Sequence, residues 1–180
     1  MNATFAAAIA AESAYADVSA PTVLRISRVL PGSPERVWAY LTDPSLRRQW
    51  LAAGDMTLRA GAPFELVWRN DELGDTRDPR PEGFPEEQRM ASRIIEANPP
   101  RRLVFAWGEG DVAFDLERRG DDVLLTVTHR GAVDRAMRVM TGAGWHMHLD
   151  ILVARLRGSE VPGFWNGWVR LRDEYERRIP

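Results

Sequence analysis

The 180-residue chain contains no cysteine and no lysine. Without cysteine there is no disulfide, no thiol nucleophile and no thiolate metal site. Without lysine there is no Schiff-base chemistry, no lysine general base and no P-loop phosphate contact. All 24 basic residues are therefore arginine, set against 26 acidic ones for a net charge of −2. That balance provides no long-range attraction for nucleic acid or anionic lipid. No run approaches the ~20 apolar residues of a membrane span, so no membrane insertion is expected. The Ala-rich start, residues 1–20, lacks basic residues, and Glu12 interrupts its short apolar stretch. It reads as a poorly ordered extension rather than a signal peptide, which places the protein in the cytoplasm.

With 44% hydrophobic residues the chain can build one ordinary core. "TVLRISRVL" (22–30) is β-rich. Ser33 and Pro34 then signal a helix start, with Val37, Trp38 and Leu41 on one face. Asp43-Pro44 repeats the signal for a short second helix over "PSLRRQWL". After Gly54 the pattern alternates: "FELVW" sets Phe64, Leu66 and Trp68 on one face of a strand. Residues 70–88 are polar, with three prolines and two glycines, and form a long loop suited to act as a lid. A strand near 88–97 follows, with no clear inward face. Three more strands are separated by hairpin-like glycine turns; their inward rows are Leu103, Phe105 and Trp107; Val112, Phe114 and Leu116; and Val123, Leu125, Val127 and His129. From Val133 the pattern is helical, with breaks expected at Gly142/Gly144 and at Gly158. Trp145, Leu149, Leu152 and Leu156 form one stripe, and Phe164, Trp168, Leu171 and Tyr175 another. This order predicts an α+β domain.

Chemistry is sparse. The segment "GWHMHLD" holds two of the three histidines. His146 and His148 are two residues apart, about 200° around a helix, so they cannot share a metal there. His146 and Asp150, at i, i+4, read as a surface pair. His129 and His148 sit at the margin of the inward rows, where each offers a hydrogen bond to a ligand. No carboxylate lies on those rows to orient a histidine, and no G-x-S-x-G marks a nucleophile. No catalytic residue, metal or cofactor is therefore assigned. The inward aromatics are more informative. Trp50, Phe64, Trp68, Phe105, Trp107, Phe114 and Trp145, with Leu125, Leu149, His129 and His148, would line a cavity if the long helix leaves space beneath the sheet.

Taken in order, "RVWAYLTDPSLRRQWL", "FELVW", "NPPRRLVFAWGE", "LLTVTHRG" and "GAGWHMHLDILVARL" resemble the SRPBCC superfamily of START-like and birch-pollen-allergen-like proteins. Within it they resemble the bacterial type named after the activator of the heat-shock-protein-90 ATPase. The likeness runs from Thr22 to Leu156, and residues 160–180 resemble a terminal helix of a subset of such proteins. It implies a helix-grip fold: a curved antiparallel sheet wrapped around a long C-terminal helix, with two short helices after the first strand. The implied domain spans 21–158, with 159–180 an additional helix packed on it. It also implies an interior cavity that in the superfamily receives lipids, hormones or polyketides. Trp50, Trp107, His129 and Trp145 fall on motif positions, yet the family has no universal catalytic residues to carry over. The leading expectation is binding of an apolar small molecule. The alternatives are a cyclase-, aromatase- or hydrolase-like enzyme using a histidine, and a stress-response or chaperone-associated interaction module. A homodimer through the last helix lies between these readings.

Overall fold

The computed structural model describes residues 14–75 and 77–180. Most of the expected N-terminal extension, residues 1–13, lies outside the described residues. The rest of it does not trail away, because β1 (Asp17–Ala20) pairs antiparallel with β2 (Val23–Pro31). The first strand expected from the sequence is thus the second. α1 (Pro34–Thr42) begins where the signals put it: Ser33 Oγ accepts from the Arg36 N–H, and proline occupies the first turn. α2 (Pro44–Arg47) is a single turn capped by Asp43. Arg47, the last residue of α2, is buried and donates to the carbonyls of Leu41, Thr42 and Gly54. Burial draws its pKa down to about 10, so it still carries charge at neutral pH.

Five more strands follow: β3 (Pro63–Trp68), β4 (Gln88–Asn98), β5 (Arg102–Trp107), β6 (Gly110–Arg119) and β7 (Asp122–Arg130). Together they make a seven-stranded antiparallel sheet in the order β1-β2-β7-β6-β5-β4-β3. β2 and β7 pair in register from Val23–Arg130 to Pro31–Asp122, which fixes the face shown by His129 and Leu125. A 3-10 turn (Asn70–Glu72) opens the loop between β3 and β4.

α3 (Arg135–Arg157) lies in the concavity of the sheet, and α4 (Phe164–Arg178) packs against α3. This is the helix-grip arrangement. The expected break at Gly142/Gly144 is absent, and α3 runs unbroken for 23 residues. Gly142 instead allows close approach: a Cβ there would stand 3.2 Å from the Tyr175 ring. Gly158 does end the helix, at φ 65°. α3 is buried on more than its one expected stripe, because Gly142, His146 and Met147 are covered as well as Trp145, Leu149 and Leu152. Tyr175 on α4 reaches His146, and Gly167 on α4 lies against Met147.

Candidate functional site

The interior has a solid part and a hollow part. In the solid part Phe64 meets Phe105 edge-on at 5.5 Å, and Phe105 meets Phe114 at 5.6 Å. Leu125 and Leu149 are fully buried beside them. Trp50 is also fully buried, its indole N–H donating to the Tyr40 carbonyl at 2.8 Å. None of these six expected site residues lines the hollow part. All six belong to one buried apolar cluster between sheet and helix.

The hollow part is a cavity of about 240 Å³ bounded by sheet, α3, the 70–88 loop and α4. Four of the expected residues line it: Trp68 of β3, Trp107 of β5, and Trp145 and His148 of α3. Trp68 and Trp107 meet edge-on at 5.2 Å, and Trp107 and Trp145 lie 5.4 Å apart. Phe164, Trp165 and Trp168 of α4 close the far wall. Phe84, from the loop, meets Trp165 at a tilt and Trp168 edge-on, each at 5.0 Å. Pro85, Glu86, Gln88 and Met140 are exposed and mark the mouth. The α4 and loop residues were not visible as site residues in the sequence. The available signal was two tryptophans in one terminal helix and a phenylalanine in a proline-rich loop.

The loop is held to the start of α4 by carboxylates. Asp71 accepts from the Trp165 indole N–H at 2.6 Å and pairs with Arg80 at 2.8 Å. Asp75 accepts from the Val161 N–H at 2.9 Å. Asp78 accepts from both the backbone and the side-chain amide of Asn166, at 3.1 and 3.0 Å. It thereby supplies the cap that Gly163 cannot.

The three histidines differ in role although all are buried. His129 lies one layer behind the cavity and does not line it. Its Nδ1 accepts from the Trp145 indole N–H at 3.1 Å, which leaves the ring proton on Nε2. Its task is to hold Trp145, whose ring is the wall. His148 donates from Nδ1 to the Trp50 carbonyl at 2.7 Å, because a carbonyl can only accept. Its Nε2 therefore carries the lone pair, with no hydrogen-bond partner among the described residues. His146 was expected at the surface with Asp150, but its ring is 6% exposed. α4 covers it. Tyr175 Oη accepts from the Ala16 N–H at 2.7 Å and donates to His146 Nδ1 at 3.2 Å. His146 Nε2 lies 3.5 Å from Asp150, which Arg28 holds at 3.0 Å. Burial pulls all three histidine pKa values down to about 4, so each is neutral at pH 7. Among the described residues no three histidine or carboxylate side chains converge as a metal site. No helix among them is long and apolar enough to cross a membrane.

A family described as Activator of Hsp90 ATPase homolog 1-like protein matches residues 31–157. The solution structure of the protein encoded by gene BPP1335 of Bordetella parapertussis is 33% identical over 93% of this chain and 94% of its own, at a TM-score of 0.76. CalU16 of Micromonospora echinospora is 24% identical over 86% of both chains, at a TM-score of 0.63. DynU16, from the dynemicin biosynthetic locus, is 20% identical over 78% of this chain and 49% of its own, at 0.61. The last two likenesses show a shared fold. The sequence matches no curated protein.

Proposed function

The chain belongs to the family of Activator of Hsp90 ATPase homolog 1-like proteins, within the SRPBCC superfamily, and on that premise we propose that it binds a small, largely apolar molecule in the cavity between sheet, loop and α4. One observation carries the reading. The hollow is walled by aromatics, yet His148 Nε2 beside it has no hydrogen-bond partner among the described residues. An unpaired buried polar atom costs about 1–3 kcal/mol, which a bound ligand's polar group would offset. The aromatic faces supply contact area and the loop serves as the lid. A reaction is not part of the reading, because His148 has no carboxylate partner and is the only histidine at the wall. Neither cofactor nor nucleic acid enters it. The setting is the cytoplasm, with a homodimer through α4 left to light scattering.

Gly144 gives a direct test. It lines the cavity, and a Cβ there would meet nothing within 4 Å. Gly144→Leu should place its Cβ freely and send its branches into the cavity. It should also stabilise the free protein by about 1 kcal/mol, because glycine is a poor helix residue. A thermal-shift screen with sterols, fatty acids and aromatic compounds should give wild-type hits of roughly 5–10 °C near saturation. Those hits should vanish in Gly144→Leu. A flat screen on well-folded wild-type protein, or hits that persist in the variant, would remove the cavity as the binding site.

A further inference from the structure

Although the chain has 24 basic residues, all arginine, none lines the cavity. Among the described residues the one charged lining residue is Glu86, exposed at the mouth. A carboxylate or phosphate carried inward would lose its water and find no cation in exchange, which disfavours the charged form there. The wall offers His148 instead. Its Nδ1–H is committed to the Trp50 carbonyl at 2.7 Å, and the ring lies 4.8 Å from Phe164, so the tautomer and the orientation are both fixed. What remains is a lone pair at Nε2, on a side chain 7% exposed. Burial opposes protonation, which would turn this nitrogen from acceptor to donor, and the pKa near 4 keeps it an acceptor at neutral pH. The neighbouring walls carry the rings of Trp68, Trp107, Trp145 and Trp168, side chains that favour an aromatic partner.

We propose that the cavity selects a planar aromatic compound whose buried polar end is an uncharged hydrogen-bond donor, a phenol or aromatic alcohol, and that His148 Nε2 is the acceptor that sets this preference. The inference rests on the cavity reading above and goes beyond it by excluding anionic lipids. His148 acts here as a specificity-determining residue, and no bond is made or broken.

Three matched probes test it by calorimetry on the full chain at pH 7.5: 2-naphthol, 2-methoxynaphthalene and 2-naphthoate. The naphthol should bind best. Its methyl ether, which has the same rings and no donor, should bind about tenfold more weakly, and the naphthoate should give no heat of binding. In His148→Phe, checked for folding by its thermal transition, the ratio of naphthol to ether should fall to about one. Ether binding equal to naphthol in the wild type would overturn the inference and leave the cavity reading standing. Tightest binding by naphthoate would overturn it equally. Failure of all three probes would take the cavity reading with it.

Discussion

His146 and His148 stand two residues apart on one helix, both buried and both neutral, in regions of opposite character. Around His146 every polar group is answered. Arg28 holds Asp150, Asp150 faces the imidazole, the imidazole takes the Tyr175 hydroxyl hydrogen, and Tyr175 takes the Ala16 N–H. That chain ties the residue before β1 to β2, α3 and α4, and Tyr175 within it is fully buried. Around His148 only one nitrogen is answered, and the ring borders open space. A closed network specifies a structure, whereas an unfinished one leaves room for a ligand. The residue type is the same in both places, and the difference lies in what the surrounding elements bring to it.

The largest expected effect concerns what the two regions share. An unfolded histidine titrates near 6.5, and here each of the three folded ones is held near 4 by burial. Above about pH 6.5 both states are neutral and stability does not depend on these groups. As pH falls from there toward 4, the unfolded chain takes up protons that the folded one refuses, so stability is lost. The slope is ~1.4 kcal/mol per pH unit for each histidine, or ~4 for three. Urea titrations between pH 7.5 and 4.5 should show it, and His146→Phe or His148→Phe should each reduce it by about a third. A wild-type curve flat from pH 6.5 to 5 would mean that the folded histidines are charged, and the contrast would have to be redrawn.

The stripe of Trp145, Leu149, Leu152 and Leu156 was readable in the sequence because one face of α3 meets the sheet and apolar residues repeat at helical spacing. The α1 caps and the strand alternation were readable for the same local reasons. The other side of α3 was not. Gly142, His146 and Met147 are buried by α4, and no pattern within α3 announces a second helix lying on it. His146 therefore looked like a surface residue and Gly142 like a helix break. The cavity was hidden in the same way. Inward alternation put Phe64, Phe105, Phe114 and Leu125 on the correct side of the sheet. Whether an inward residue meets a neighbour or a void depends on where the loop and α4 land. Phe84 and Trp168 define the void, yet both lie outside the rows that alternation could order.

The closed region can be opened one bond at a time. Tyr175→Phe keeps the ring that Gly142 packs against and removes only the hydroxyl. The Ala16 N–H loses its acceptor and His146 Nδ1 loses its donor, which should cost about 1–3 kcal/mol in denaturant unfolding. Affinity for any cavity probe should not change, since Tyr175 does not line the cavity. A loss of probe binding in this variant would mean that the two regions are coupled through α3 and that their separation is only apparent.

The smallest effect should fall on the boundary of the hollow region. Asp78→Ala removes the cap on the first turn of α4 and frees the loop from Asn166. Loss of an N-terminal cap costs about 1 kcal/mol, and part of the loop's hold survives through Asp71 and Asp75. Global stability should therefore fall only slightly. Amide exchange should quicken in residues 77–87 and in the first turn of α4 while remaining slow in residues 145–156, because local opening does not need the core to unfold. Probe association and dissociation should both accelerate, with little change in affinity, if the loop is the lid. Exchange that rose equally in the centre of α3 would show that the loop is part of the core, and that the wall and the network near His146 open as one.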